Sequence, residues 1–159
     1  MANSHHETLR GRTGAEARIK RLIAAYNIAG DRGRLDEIAA CFAADGVLQT
    51  PLWQAAGRSE IAAGLRNSNS RGDSVVQFVR HHVTTSLISF DGDVVTGRSY
   101  FLVFTQIGPD HAGVYVDRYR QEDGEWRIAH RQVRIDWKAP ESLFVNQPVS
   151  RVNSSGGPR

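Results

Sequence analysis

Proton transfer near neutral pH needs an imidazole, and this sequence sets two side by side, His81-His82, within a run of β-branched and aromatic residues. Neighbours on a strand point to opposite faces, so at most one of the pair enters an interior. A carboxylate that accepts the proton of one ring nitrogen would leave the other nitrogen to face a substrate. Asp31 lies at the end of a long apolar-periodic segment, in the turn after a helix that aspartate favours. An acid in an apolar interior needs a donor or cationic partner. Tyr26, one helical turn earlier, offers a hydroxyl; Trp53 follows Pro51 in a loop; Tyr100 and Tyr115 sit on strand-like segments; Arg134 is a cation for a carboxylate or enolate oxygen. Each of these five is more often structural than functional. Trp126 alternates with Ile128 and reads as core.

Other chemistries are poorly supported. Cys41 is the only cysteine, so no intrachain disulfide forms, and its small apolar neighbours suit a buried thiol better than a thiolate. No H-x-H or HExxH spacing suggests a metal, no glycine-rich cradle suggests a phosphate, and no cofactor is expected. The net charge of +3 is spread over interleaved basic and acidic residues, with no basic run carrying stacking aromatics, so nucleic acid is not an expected partner. No stretch has the length of a membrane span, and Met1 to His6 lacks the apolar run of a secretory signal; a cytoplasmic protein is expected.

At 159 residues the chain is sized for one core. Residues 1–13 lack periodicity and read as a flexible tail. Ile19, Leu22, Ile23, Tyr26 and Ala29 repeat at helical spacing, ending at Gly30. Leu35, Ile38, Ala39 and Phe42 predict a short second helix, and Ser59 is a candidate N-cap for a third over Glu60 to Leu65. Val47 to Thr50 is a candidate brief strand. The Arg71-Gly72-Asp73 triplet lies in a polar loop and reads as chance. Four strands follow: Val75 to Phe90, Val94 to Ile107, Gly113 to Gln121 and Trp126 to Trp137. Asp91-Gly92, Gly108-Pro109-Asp110 and Asp123-Gly124 are the turns between them. Helices followed by a strand meander imply an α+β fold, a curled antiparallel sheet against three helices, enclosing a cone with an apolar pocket. Residues 14–138 form that domain and 139–159 a C-terminal tail, in which Phe144 and Val145 would cover the mouth or meet a partner chain and 150–159 read as disordered.

The order of Gly30-Asp31-Arg32-Gly33-Arg34-Leu35-Asp36, Ala44-Asp45-Gly46-Val47, Gly57-Arg58-Ser59-Glu60-Ile61, Arg80-His81-His82-Val83-Thr84 and Asp123-Gly124-Glu125-Trp126-Arg127-Ile128 resembles the SnoaL-like branch of the nuclear transport factor 2-like superfamily, over roughly residues 15 to 138. Scytalone dehydratase-like lyases are the most similar enzymatic pattern. That resemblance implies a cone-shaped, cystatin-like barrel and an aspartate on the first helix facing a histidine on the first long strand. It assigns the catalytic roles to Asp31 and His82, leaves His81 outside, and makes Tyr26, Trp53, Tyr100, Tyr115 and Arg134 candidate substrate contacts. It further implies a cofactor-independent lyase, a dehydratase, acting on a small hydrophobic cyclic carbonyl compound such as a polyketide or steroid. A ketosteroid isomerase-like or polyketide cyclase reaction would use the same dyad. The non-catalytic alternative is a ligand-binding or oxygenase small-subunit-like assembly module. In each case a homo-oligomer, dimer or trimer, is the expected state.

Overall fold

Helix α1 runs from Ala2 to Asp31, reaching back well before the apolar repeat that announces it. Residues 2–13 contain no proline and include Glu7, Leu9, Arg10 and Arg12, so a helix nucleated by its packed half propagates through them in place of the expected tail. The computed structural model describes residues 2–69, 75–144 and 148–149, with the main chain alone for 2–10 and 69. The Arg-Gly-Asp triplet at 71–73, Val145 and residues 150–159 lie outside the described residues.

The repeat Ile19, Leu22, Ile23 and Ala29 is buried, as one apolar helical face demands. Gly33, at φ +66°, turns the chain, with the Arg34 N–H bonded back to the Ala29 carbonyl at 2.9 Å. Helix α2, Leu35–Ala40, is shorter than its apolar pattern because Phe42 already belongs to a strand. Helix α3 spans Arg58–Asn69, so Ser59 lies inside its first turn and does not cap it.

Six strands form one sheet in the order β2-β1-β6-β5-β4-β3, made of β1 Phe42–Gln49, β2 Gln54–Ala56, β3 Val79–Asp91, β4 Val94–Thr105, β5 Gly108–Glu122 and β6 Glu125–Lys138. The sheet is mixed: β1 lies parallel to β6, and the remaining pairings are antiparallel. The fully antiparallel sheet expected from the meander is corrected on this point, because the meander gives no sign of where β1 inserts. Both hairpins form: the first turns at Gly92-Asp93, one residue later than expected because Asp91 still pairs with Val94, and the second at Asp123-Gly124, where both residues have positive φ. The third turn falls at Gln106-Ile107, which moves Asp110 from a loop into β5.

Register shifts between Val83 and Thr85, Val103 and Phe104, Ala112 and Gly113, and Arg118 and Tyr119 bend the four long strands into a curved sheet. The helices cover its inner face. Ile19, Ile23, Phe42, Leu48, Ile61, Ile88, Val95 and Ile128 form one buried cluster, and Phe101, Val103, Tyr115 and Ile135 form a second beneath α1. Burial of each such large side chain stabilises by about 1.5–3 kcal/mol.

Candidate functional site

Asp31 is the last residue of α1, and its carboxylate leans onto β3. It accepts the main-chain N–H of His81 at 3.0 Å and stands 2.7 Å from His81 Nδ1. Both side chains are mostly withdrawn from solvent, at 11% and 25% exposure. The acid and imidazole are brought together as expected, but the imidazole is His81. His82 is exposed on the opposite face, edge-on to Phe104 at 5.3 Å, so its placement toward the interior is corrected. The physical reason is parity: Val79, His81 and Val83 turn inward together, while His82 shares the outward face with exposed Arg80.

Of the other candidates, two enter the interior. Tyr115 stacks on Phe101 at 4.5 Å and donates its hydroxyl to Asn27 Oδ1 at 3.1 Å. Tyr26 meets Tyr115 edge-to-face at 5.9 Å. Burial raises both phenols above their ordinary pKa, against the lowering pull of Arg131. Trp53 packs on α3, its ring filling the space over Gly64. Tyr100 is exposed under Arg98 on the outer face, and Arg134 pairs with Asp136 at 3.7 Å; neither approaches the dyad.

Four residues not singled out by sequence organise the centre. Arg131 and Asp117 are fully buried and form a two-point ion pair, Nε to Oδ1 at 2.9 Å and Nη2 to Oδ2 at 2.7 Å. The guanidinium lies over both the Tyr26 and the Tyr115 ring, 4.1 Å from each centroid. Tyr119 adds its hydroxyl to Asp117 at 2.6 Å, and the Asn27 amide donates to the Ile23 carbonyl at 2.8 Å. Burial opposes the charge on Arg131, yet Asp117 holds its pKa well above the ordinary value. Concavities of about 420 and 360 Å³ open on the outer sheet face, the first lined by Leu87, Thr96, Arg98, Val116, Arg118 and His130.

Among the described residues no cluster of three or more His, Cys, Asp or Glu side chains could hold a metal, and no helix is long and apolar enough to cross a membrane. Cys41 is a buried thiol, its pKa pushed up by burial.

No curated protein matches the sequence. Among solved structures, a protein of unknown function from Mycobacterium tuberculosis is 33% identical, with 80% of this chain and 75% of that one covered at a TM-score of 0.69. ActVI-ORFA from Streptomyces coelicolor is 26% identical over 80% of this chain and 99% of its own, TM-score 0.70. A putative scytalone dehydratase from Novosphingobium aromaticivorans shares the fold at 22% identity, with 87% and 91% covered and a TM-score of 0.65. The model of the SnoaL-like domain matches residues 12–132, which contain Asp31, His81 and the Arg131–Asp117 pair, and the chain belongs to that family.

Proposed function

We propose that this chain is a cofactor-independent lyase, a dehydratase of small hydrophobic cyclic carbonyl compounds, with His81 as the proton-transferring group and Asp31 as its partner. The observation that carries the reading is the two-point hold of Asp31 on His81, which fixes the ring and leaves Nε2 directed away from the carboxylate. In the proposed reaction Nε2 removes the proton from the carbon beside a carbonyl, and the C–H electron pair forms the enolate. The enolate collapses to a carbon–carbon double bond as the neighbouring C–O bond breaks. The proton held on His81 leaves with the departing hydroxyl as water, which returns the imidazole to its starting state. Isomerisation or cyclisation would begin with the same proton removal, and the solved structure of a putative scytalone dehydratase with the same fold is consistent with the dehydratase choice.

Turnover of a panel of β-hydroxy cyclic ketones tests the assignment. His81→Ala should lower kcat by about 10²-fold or more, while His82→Ala should leave it unchanged. Full activity in His81→Ala would end the proposal.

A second reading draws on the outer face. Leu87 and Tyr100 are 67% and 46% exposed on the uncovered side of the sheet, a surface suited to a second copy of the chain or to an assembly partner. Sedimentation should show a dimer or trimer that Leu87→Arg weakens; a monomer in wild type would remove this reading.

A further inference from the structure

Asp110 is a fully buried carboxylate outside the dyad. It stands 2.7 Å from His111 Nδ1 and 2.7 Å from Ser142 Oγ, accepts the Leu143 N–H at 2.8 Å and takes a longer contact from Thr105 Oγ1 at 3.4 Å. Burial alone would raise its pKa, but these donors hold it below the ordinary value, so the group is ionised and can only accept. The ring proton of His111 therefore sits on Nδ1, and Nε2 carries a lone pair. Burial keeps the ring neutral by lowering its pKa, with Asp110 opposing and His81 contributing to the fall. Phe101 and Phe144 meet the imidazole edge-to-face at 6.2 and 4.8 Å.

His81 and His111 flank Val103 in one row of the sheet, because His81 pairs with Val103 and Val103 with His111. Two strand spacings put their Cα atoms about 10 Å apart. The ring of Phe101 contacts both imidazoles. Each imidazole has its Nδ1 bound by a carboxylate, so both present Nε2 as the group left for a ligand.

We infer that His111 Nε2 is a fixed acceptor for a hydroxyl of the substrate, narrowing the substrate class to ring compounds that carry a phenolic, enolic or alcoholic O–H roughly one ring away from the carbon deprotonated by His81. This rests on the reading of Asp31 and His81 as the proton-transfer pair. Phe144, placed against His111 by the Asp110 bonds to Ser142 and Leu143, becomes a wall of the same subsite. A ligand lacking the O–H forgoes this hydrogen bond, a loss that translates to roughly 10-fold in affinity.

The test compares 2-naphthol with 2-methoxynaphthalene, which share a ring system and differ in the donor. Wild type should bind 2-naphthol at least about 10-fold more tightly. The ¹⁵N resonance of His111 Nε2 should move with naphthol and stay still with the methyl ether. His111→Phe, which keeps a ring between Phe101 and Phe144, should bind the two equally. Equal affinity in wild type, an unmoved Nε2 resonance, no naphthol binding up to its solubility, or a preference that survives in His111→Phe would overturn the assignment. The spectrum of wild type decides the matter even if the variant does not fold. His81→Ala separates the two proposals: it should abolish turnover and keep the hydroxyl preference. Retained turnover would sink the proton-transfer reading while leaving the binding result standing.

Discussion

Asp31 holds His81 at two points, the main-chain N–H and the ring Nδ1, so one carboxylate at a helix end sets both the position of a strand and the tautomer of its side chain. This coupling makes the first turn after α1 part of the site. Any change that lengthens or shortens α1 by a residue rotates Asp31 away from β3 by about 100°.

Asp31→Asn should therefore do more than remove a charge. The amide can still accept the main-chain N–H, but it no longer fixes the His81 ring proton on Nδ1. ¹⁵N spectra should show a mixture of imidazole tautomers in place of a single one, and kcat should fall by about 10²- to 10⁴-fold. A single unchanged tautomer would show that other groups orient the ring.

Asp117→Ala should cost about 3–5 kcal/mol in denaturant unfolding, since it strands the buried Arg131 charge against two tyrosines. The double variant Asp117→Leu with Arg131→Met removes both charges and should recover most of that loss. A double variant no more stable than Asp117→Ala would mean that ring packing on the guanidinium, and not charge pairing, holds the centre.

Stability should fall in acid. His111 and His130 both have pKa values below the ordinary 6.5, His111 by burial foremost and His130 by burial and then Arg118. The unfolded chain then takes up protons at these sites before the folded one does. Their contribution is complete above about pH 6.5 and shrinks as pH falls toward the folded pKa values, by up to about 1.4 kcal/mol per pH unit for each proton. Asp110, also depressed below its ordinary value, adds a further loss below the carboxylate range. Urea unfolding of wild type and His111→Phe from pH 8 to 4.5 should show a shallower decline in the variant.

Gly113→Ala should destabilise severely. A Cβ there would meet the Arg134 carbonyl and come within 2.8 Å of the Phe101 ring, where main chain cannot yield. Loss of cooperative thermal unfolding is the expected result, and a Tm within a few degrees of wild type would show that the bulge beside it can absorb the methyl.

Much of this architecture is legible in the residues. The apolar repeat of α1 and the Asp123-Gly124 turn each follow from local chemistry that tertiary context did not override. Parity is legible as well: Val79, His81 and Val83 alternate with Arg80 and His82, which marks His81 as the inward ring. The same test applied to Arg131, Val133 and Ile135 places Arg131 inside, and applied to Tyr115, Asp117 and Tyr119 it supplies the buried partner. What alternation does not give is which strands are neighbours. The row shared by His81, Val103 and His111 depends on pairing across three strands. The parallel seat of β1 beside β6 depends on contacts between segments about eighty residues apart in sequence, for which no local signal exists.

That parallel seat has a consequence for how the chain is made. Phe42 leaves a ribosome long before its strand neighbour Ile128. The early helices must wait, their greasy sides uncovered, until β6 is synthesised and slots in beside β1. The sheet can close around β1 only after β6 is synthesised, and a chaperone that shields α1 to α3 in the interval would raise the yield of native protein.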